Sequence, residues 1–459
     1  MGRLTRLIRP VGAAFLVASM LAAGAFTPAV TRAADQPDIR FGEPTATSNF
    51  GSGIDFGQPL TAGQDVARAE LLLTVANARG PEVVSVEAPG ARPSRLGYRL
   101  ATSDRGLLPN TPIRARWRVF TTEQPSVAAV GPEIRVVYAD DRFDWQTVSG
   151  DLVRLHWYKG DPAFGRRALN LGEQAVADTS KLLGVKETDP VDVFVYADQE
   201  AFADALGPGT RERSIGGQAH AEIRTLFALI TPQEIDDAWV GIVVPHELVH
   251  LVFDTAVHNP YHFPPRWLNE GLAVYQSQGY DPPDRAAVAG AARAGTLLPL
   301  EALIGQFPSA DDRFALAYAE SVSSVDYLIR RFGQAALVKL IRSYQGGLTD
   351  DEAFQEALGI DVAGFEAAWL ADLRAKPPTA FGPQPAPAGP VPADWGPAPA
   401  ADGQGGDATA APESPGAPRP VGGPSPDLVW TIPIALALII VGIVFVARRR
   451  RPPTEIDQL

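Results

Sequence analysis

Cysteine is absent from the 459 residues. That gap removes disulfide frameworks, thiol nucleophiles and Cys-ligated zinc at once. Any metal here must be held by His, Asp and Glu, and histidine is itself scarce, at six residues. Positive charge is in deficit too: 40 Lys and Arg face 53 Asp and Glu, a net −13. This balance excludes a nucleic-acid partner, which needs a basic face. Disorder throughout the chain is also excluded, because 46% of the residues are hydrophobic and 20% charged. The length allows two or three domains of roughly 100–200 residues each.

Long uncharged apolar runs occur only near the two ends. Residues 1–34 read as a secretory signal peptide, with Arg3, Arg6 and Arg9 ahead of the apolar stretch from Val11 to Phe26 and small residues at Ala33 and Ala34. An uncleaved N-terminal anchor is the alternative. Residues 428–447 read as a transmembrane helix; 20 apolar residues cover about 30 Å, enough to cross a bilayer core. Arg448 to Arg451 follow directly, so the tail at 448–459 is predicted to be cytoplasmic. The expectation is a single-pass cell-membrane protein whose bulk lies outside the cytoplasm, with the membrane as a partner through the C-terminal helix.

Three segments lie between these runs. Residues 35–140 carry short alternating stretches separated by Gly and Pro. Ile113 to Val119 alternates strictly, and Arg68 to Ala78 and Glu133 to Tyr138 also suit strands. This pattern predicts a small Ig-like β-sandwich, and none of its residues suggests chemistry. Residues 376–427 are rich in Pro, Gly and Ala and read as a disordered stalk. From 145 to 375 the periodicity changes. Val191 to Tyr196 and Glu222 to Thr231 read as strands, and after Pro232 the pattern is almost wholly helical to Arg374. Strands first and helices after predict an α+β domain.

The chemistry concentrates in His246-Glu247-Leu248-Val249-His250. On a helix, His at i and i+4 share one face, so both imidazoles can bind one ion. Glu247 beside the first of them can act as general base on a water at that ion, which is the zinc-peptidase arrangement. Zinc needs a third protein ligand. Phe253 and Ala256 stand where a His-rich continuation would need Gly and His, so that pattern fails. His258 and His262 repeat the four-residue spacing, but Asn259, Pro260 and Pro264 break any helix there. Glu270 is the better candidate. It sits in Arg266-Trp267-Leu268-Asn269-Glu270-Gly271-Leu272-Ala273-Val274-Tyr275, a second helix in which a buried acid needs a positive partner.

HELVH followed by RWLNEGLAVY resembles the gluzincin metallopeptidases, the group of thermolysin and the M1 aminopeptidases, and among them the bacterial peptidase MA-like domains. The resemblance covers about 145–375. It implies a zinc site of His246, His250 and Glu270, with Glu247 as general base. It also implies an oxyanion-stabilising Tyr on a later helix, which Tyr318 resembles; ordinary helix packing is the other reading of that residue. The aminopeptidases carry a Glu-containing Gly-x-Met-Glu-Asn segment that holds the substrate's free amine. Gly216-Gly217-Gln218-Ala219-His220 lacks that Glu, so aminopeptidase activity is unsupported. The backbone around Gly217 remains a candidate for pairing with an extended peptide, and His220 for aiding the oxyanion.

The sequence thus predicts a membrane-anchored, extracytoplasmic zinc endopeptidase acting on polypeptides. A catalytically inactive cell-surface binding protein on the same scaffold is the alternative, and hydrolysis of a non-peptide amide a third reading.

Overall fold

The computed structural model describes residues 37–378, except 77, 79, 88–91, 93, 103–105, 208–215 and 260–261. The expected signal peptide, the anchor at 428–447, the tail at 448–459 and all but the start of the stalk lie outside the described residues.

The N-terminal part forms two four-stranded antiparallel sheets. One contains β1 (Ile39–Phe41), β2 (Thr45–Asn49), β3 (Gly53–Ala62) and β6 (Arg95–Ala101). The other runs β5 (Glu82–Val86), β4 (Val66–Val75), β7 (Thr111–Thr121), β8 (Ala129–Tyr138). Alternation decides what lies between them. On β7, Ile113, Ala115, Trp117 and Val119 are buried, while Arg114 and Arg116 face solvent. Trp117 meets Ile54, Leu71 and Leu96 in a core shared by both sheets. The sandwich foreseen for 35–140 is therefore present.

The second part is a five-stranded sheet with helices. Its strand order is β12 (Gly217–His220), β13 (Thr225–Leu229), β11 (Val191–Tyr196), β10 (Val153–Trp157), β9 (Gln146–Ser149). The three inner strands are parallel and the two edges antiparallel. Two departures from the sequence reading stand out. Helix α1 (Pro162–Leu183) interrupts the strand region as the crossover between β10 and β11, and α2 (Gln199–Leu206) follows β11. The start of α1 is set by Asp161, whose carboxylate accepts from the Phe164 N–H, and its end by Gly184 in the left-handed region. The strand expected over Glu222–Thr231 begins only at Thr225, because Ala221–Ile223 make a 3₁₀ turn closed by Arg224 at φ +51°.

From residue 240 the chain is helical: α3 (Val240–Val257), α4 (Arg266–Ser277), α5 (Pro282–Ala294), α6 (Asp311–Phe332), α7 (Gln334–Ser343), α8 (Asp350–Leu358) and α9 (Val362–Asp372). Helix α3 is long and apolar enough to pass for a membrane span, yet 67% of it is buried in the domain, so it is a core helix. It packs with α1 on one face of the sheet, where Leu226, Ala228, Val193 and Val195 meet Val243, Leu248 and Val252.

The opposite face receives the sandwich. Phe50 and Leu108, from its loops, pack on Tyr196, Phe202 and Phe227 together with Phe143, Trp145 and Tyr158. The short join at 140–145 is tied in by polar contacts. Tyr196 donates to the Asp140 carboxylate at 2.9 Å, Trp145 Nε1 donates to the Asp140 carbonyl at 2.8 Å, and Arg142 pairs with Asp140 at 2.7 Å. Asn110, from the sandwich, donates to Asp192 on β11 and Thr225 on β13.

Helices α4 and α6 approach each other most tightly at a glycine. A Cβ on Gly271 of α4 would lie 2.4 Å from the Ser321 carbonyl oxygen and 2.8 Å from Val325 Cγ2, both on α6. Gly271→Ala should force these helices apart and cost about 1–3 kcal/mol of stability. Urea titration measures this; an unchanged midpoint would show that α4 can shift without strain.

Candidate active site

His246 and His250 lie one turn apart on α3, and Glu270 comes from the second turn of α4. The three side chains converge. The two imidazole Nε2 atoms are 3.2 Å apart, and Glu270 Oε2 is 3.5 Å from each. His246 is wholly buried and Glu270 nearly so. Ligand atoms held about 2.0–2.1 Å from a tetrahedral zinc lie roughly 3.3–3.4 Å from one another. The observed triangle fits that spacing, and the donor set of two imidazoles and a carboxylate suits zinc.

Two neighbours aim the ligands. The Asn269 side-chain oxygen is 3.0 Å from His250 Nδ1. That oxygen only accepts, so Nδ1 carries the proton and Nε2 keeps its lone pair for the ion. Arg266, one turn before Glu270, holds Oε1 at 3.1 Å and leaves Oε2 free of any hydrogen-bond partner. The Arg266 guanidinium is in turn placed over the Phe307 ring, 4.8 Å from its centroid.

Glu247 is held differently. Its Oε2 accepts from the backbone N–H of Ala219 on edge strand β12 at 3.0 Å, while Oε1 is buried without a partner. Gly217 lies buried beneath it. A Cβ there would sit 3.1 Å from Glu247 Cγ, so the missing side chain makes room for this acid.

The same buried site sets the charges apart. Burial, with the nearby His250, drives His246 down to about 4, so it is neutral and ready to ligate at pH 7. Burial also pushes against ionisation of Glu270, but His250, His246 and Arg266 outweigh it and hold that carboxyl at about 2. Burial and the Glu270 charge lift Glu247 to about 8 against the Ala219 N–H. Tyr318, on α6, is buried with its ring edge-on to Phe307 and Phe314, at 5.1 Å from each. Burial and the charge of Glu270 hold its phenol well above 10, against the pull of the nearby Arg266 guanidinium. It therefore remains a proton donor.

His220 does not join the group. In the β12–β13 register Ala219 pairs with Leu226, on the α3 side, so His220 beside Thr225 turns to the other face. There Nδ1 meets Glu222 at 2.8 Å and the ring lies edge-on to Phe227. The expected oxyanion role for His220 is corrected by this alternation. His258 caps α3 at φ +40°, and His262 pairs with Asp350 at 3.1 Å while stacking on Tyr344, so neither belongs to the cluster. The sequence reading missed Arg266, Asn269 and the Ala219 amide. Arg266 carried a signal, its i, i+4 spacing to Glu270.

Asn269→Ala should weaken zinc binding about 10–100-fold, whereas Glu270→Ala, which deletes a ligand, should abolish it. Competition with a calibrated chelator measures both. Parent-like affinity in Asn269→Ala would mean that His250 is oriented by another group.

Residues 171–375 match the family model of the Peptidase MA superfamily. Comparison with curated proteins gives no match. Among solved structures, the chain is similar to an M1 zinc metallopeptidase from Deinococcus radiodurans at 14% identity, over 74% of this chain and 95% of that one, with a TM-score of 0.35. It is similar to an aminopeptidase N family protein from Idiomarina loihiensis at 11% identity, over 70% and 74% of the two chains, with a TM-score of 0.36. The ZmpB metallopeptidase from Clostridium perfringens is similar at 11% identity, over 75% of each chain, with a TM-score of 0.32. The family match falls on the helices that bring His246, His250 and Glu270 together, and it supports a gluzincin-like peptidase domain over residues 171–375.

Proposed function

We propose that this chain is a zinc-dependent endopeptidase. The observation that carries the reading is the convergence of three ligand atoms beside an acid, Glu247, that takes no part in the triangle and is pinned by a backbone amide. His246, His250 and Glu270 would hold zinc, which when bound acidifies water and polarises a carbonyl.

The chain's own groups supply the rest. Glu247 Oε1, free of partners, takes the proton from the attacking water. Once protonated, Glu247 can pass that proton to the leaving amine. The Tyr318 hydroxyl donates to the oxyanion as charge develops. The outer edge of β12 around Gly217, where only the Ala219 N–H is taken by Glu247, would pair with an extended peptide by strand addition. The acid that would hold a substrate's free amine is missing from Gly216 to His220, and this supports internal cleavage.

We further propose that the domain works outside the cytoplasm, led by the signal at 1–34 and anchored by 428–447. The stalk would let it range about 40 Å from the bilayer as a coil and up to about 160 Å extended. Protease added to intact cells should then digest or release the zinc domain and leave a short membrane fragment ending at Leu459. Protection until lysis, with no outer layer to explain it, would reverse the orientation.

Glu247→Gln should retain zinc and fold while losing about 10²–10⁴ in turnover, since the amide still accepts from Ala219 but cannot take a proton. Tyr318→Phe should lower kcat by about 10²–10³ with little change in KM. A peptide-library digest with zinc content measured alongside tests both. Full activity in Glu247→Gln would overturn the mechanism.

A further inference from the structure

Two unusual features of the sandwich fall on one surface. On β7 the period of two turns Arg114, Arg116 and Arg118 to the outside of the sheet. Arg68 on β4 and Arg135 on β8 share that face, and the register sets Arg114 directly opposite Arg135. Like charges placed directly opposite destabilise a sheet. Two carboxylates sit among them. Glu70 is taken by Arg68 and Arg118, and Glu133 by Arg116 and Arg135. Five guanidiniums against two carboxylates make this face positive on a chain whose net charge is −13.

The second feature is apolar. Val83, Val130 and Val137 are 50%, 51% and 44% exposed, and they are three of the four large hydrophobic side chains exposed among the described residues. All three lie on the arginine face. Val83 is opposite Leu72, which is itself opposite Arg116; Val130 is opposite Arg118, and Val137 opposite Pro112. These side chains are spread over the face between the guanidiniums rather than gathered in one patch.

We propose that this face docks on the anionic headgroups of a lipid bilayer. The complementarity is of charge, and short branched side chains between the guanidiniums can enter the interfacial layer. A fluid headgroup layer matches any spacing of arginines, whereas a folded acidic partner would need a fixed pattern of carboxylates. The chain also carries, outside the described residues, the uncharged run 428–447, which, read as an anchor, would keep this face near a bilayer. Tethering makes even a weak surface contact effective. The anchor fixes the chain to the membrane; the arginine face would decide which way the sandwich, and the zinc domain bound to it, lies upon it.

The absence of cysteine makes the test clean. Val137→Cys on this face and Thr47→Cys on the other sheet each provide a single thiol for a polarity-sensitive dye. The full chain is reconstituted in phosphatidylcholine vesicles with or without phosphatidylglycerol. The Val137→Cys dye should shift to the blue only with the anionic lipid. The shift should vanish in high salt and in Arg114→Glu/Arg135→Glu, whose unchanged zinc content reports its fold. The Thr47→Cys dye should not respond. Identical emission from Val137→Cys in both vesicles, equal shifts at both labels, or a response to soluble polyglutamate but not to vesicles would overturn the proposal, the last favouring an acidic polypeptide. Flotation with neutral vesicles tests the anchor separately. A chain that does not float with them but still shifts on anionic vesicles loses the anchor and keeps the docking face.

Discussion

Three potential metal-ligand atoms brought together in one buried pocket govern the second half. Nε2 of His246, Nε2 of His250 and Oε2 of Glu270 stand within 3.5 Å of one another. Asn269 fixes the His250 proton on the far nitrogen, so that side of the cluster cannot relieve itself by turning. Glu270 cannot swing away, because Arg266 grips its other oxygen. Helix α4 cannot simply approach further to tighten the group, because Gly271 already rests against the α6 backbone. The arrangement is thus imposed by packing, and a bound cation would stabilise it.

Buried acids play distinct parts around this cluster. Glu270 is held at about 2 and Glu247 raised to about 8 within the same pocket, one by cationic neighbours and the other by burial beside a carboxylate. Glu320 shows that a displaced acid does not by itself mark a site. It is also buried and lifted to about 8, yet both its oxygens accept from the Leu298 N–H, which ties the chain after α5 to α6. What separates Glu247 from Glu320 is company: a free oxygen beside three converging ligand atoms.

The parts legible in the sequence are those with a short period. The i, i+4 pair of His246 and His250 and the strict alternation of β7 needed no knowledge of distant partners. Glu270 was legible as a polar exception in an apolar helix. Helix α1 is harder to read because Phe164, Leu169, Val176 and Leu183 on its buried face are interleaved with Gly165, Ala168, Gly172 and Ala175. The small residues let it sit close, with Trp157 filling the space where a Cβ of Gly165 would go, and they dilute the stripe of large hydrophobes. His220 was misplaced because its face depends on the pairing register of β12 with β13. The Ala219 amide had no sequence signature at all, being a backbone donor. Phe143 and Trp145 read as part of a join and prove to be part of the buried seam between the two halves.

That seam changes what the sandwich is. The sheet of the second domain uses one face for α1 and α3 and the other for the sandwich. Asn110 reaches Thr225 of β13, Thr225 stands beside His220 of β12, and the adjacent residue of β12, Ala219, holds Glu247. The loop that carries Asn110 therefore braces the same strand pair that positions Glu247. Stripping the sandwich away would uncover Tyr196, Phe202 and Phe227 and take from Asp192 one of the donors that, with His156 and Arg154, keep it charged. An aromatic surface of that kind is not left open to water by a stable domain. The sandwich is best understood as the second wall of the catalytic sheet, and any influence it has on the chemistry runs through β13 and β12.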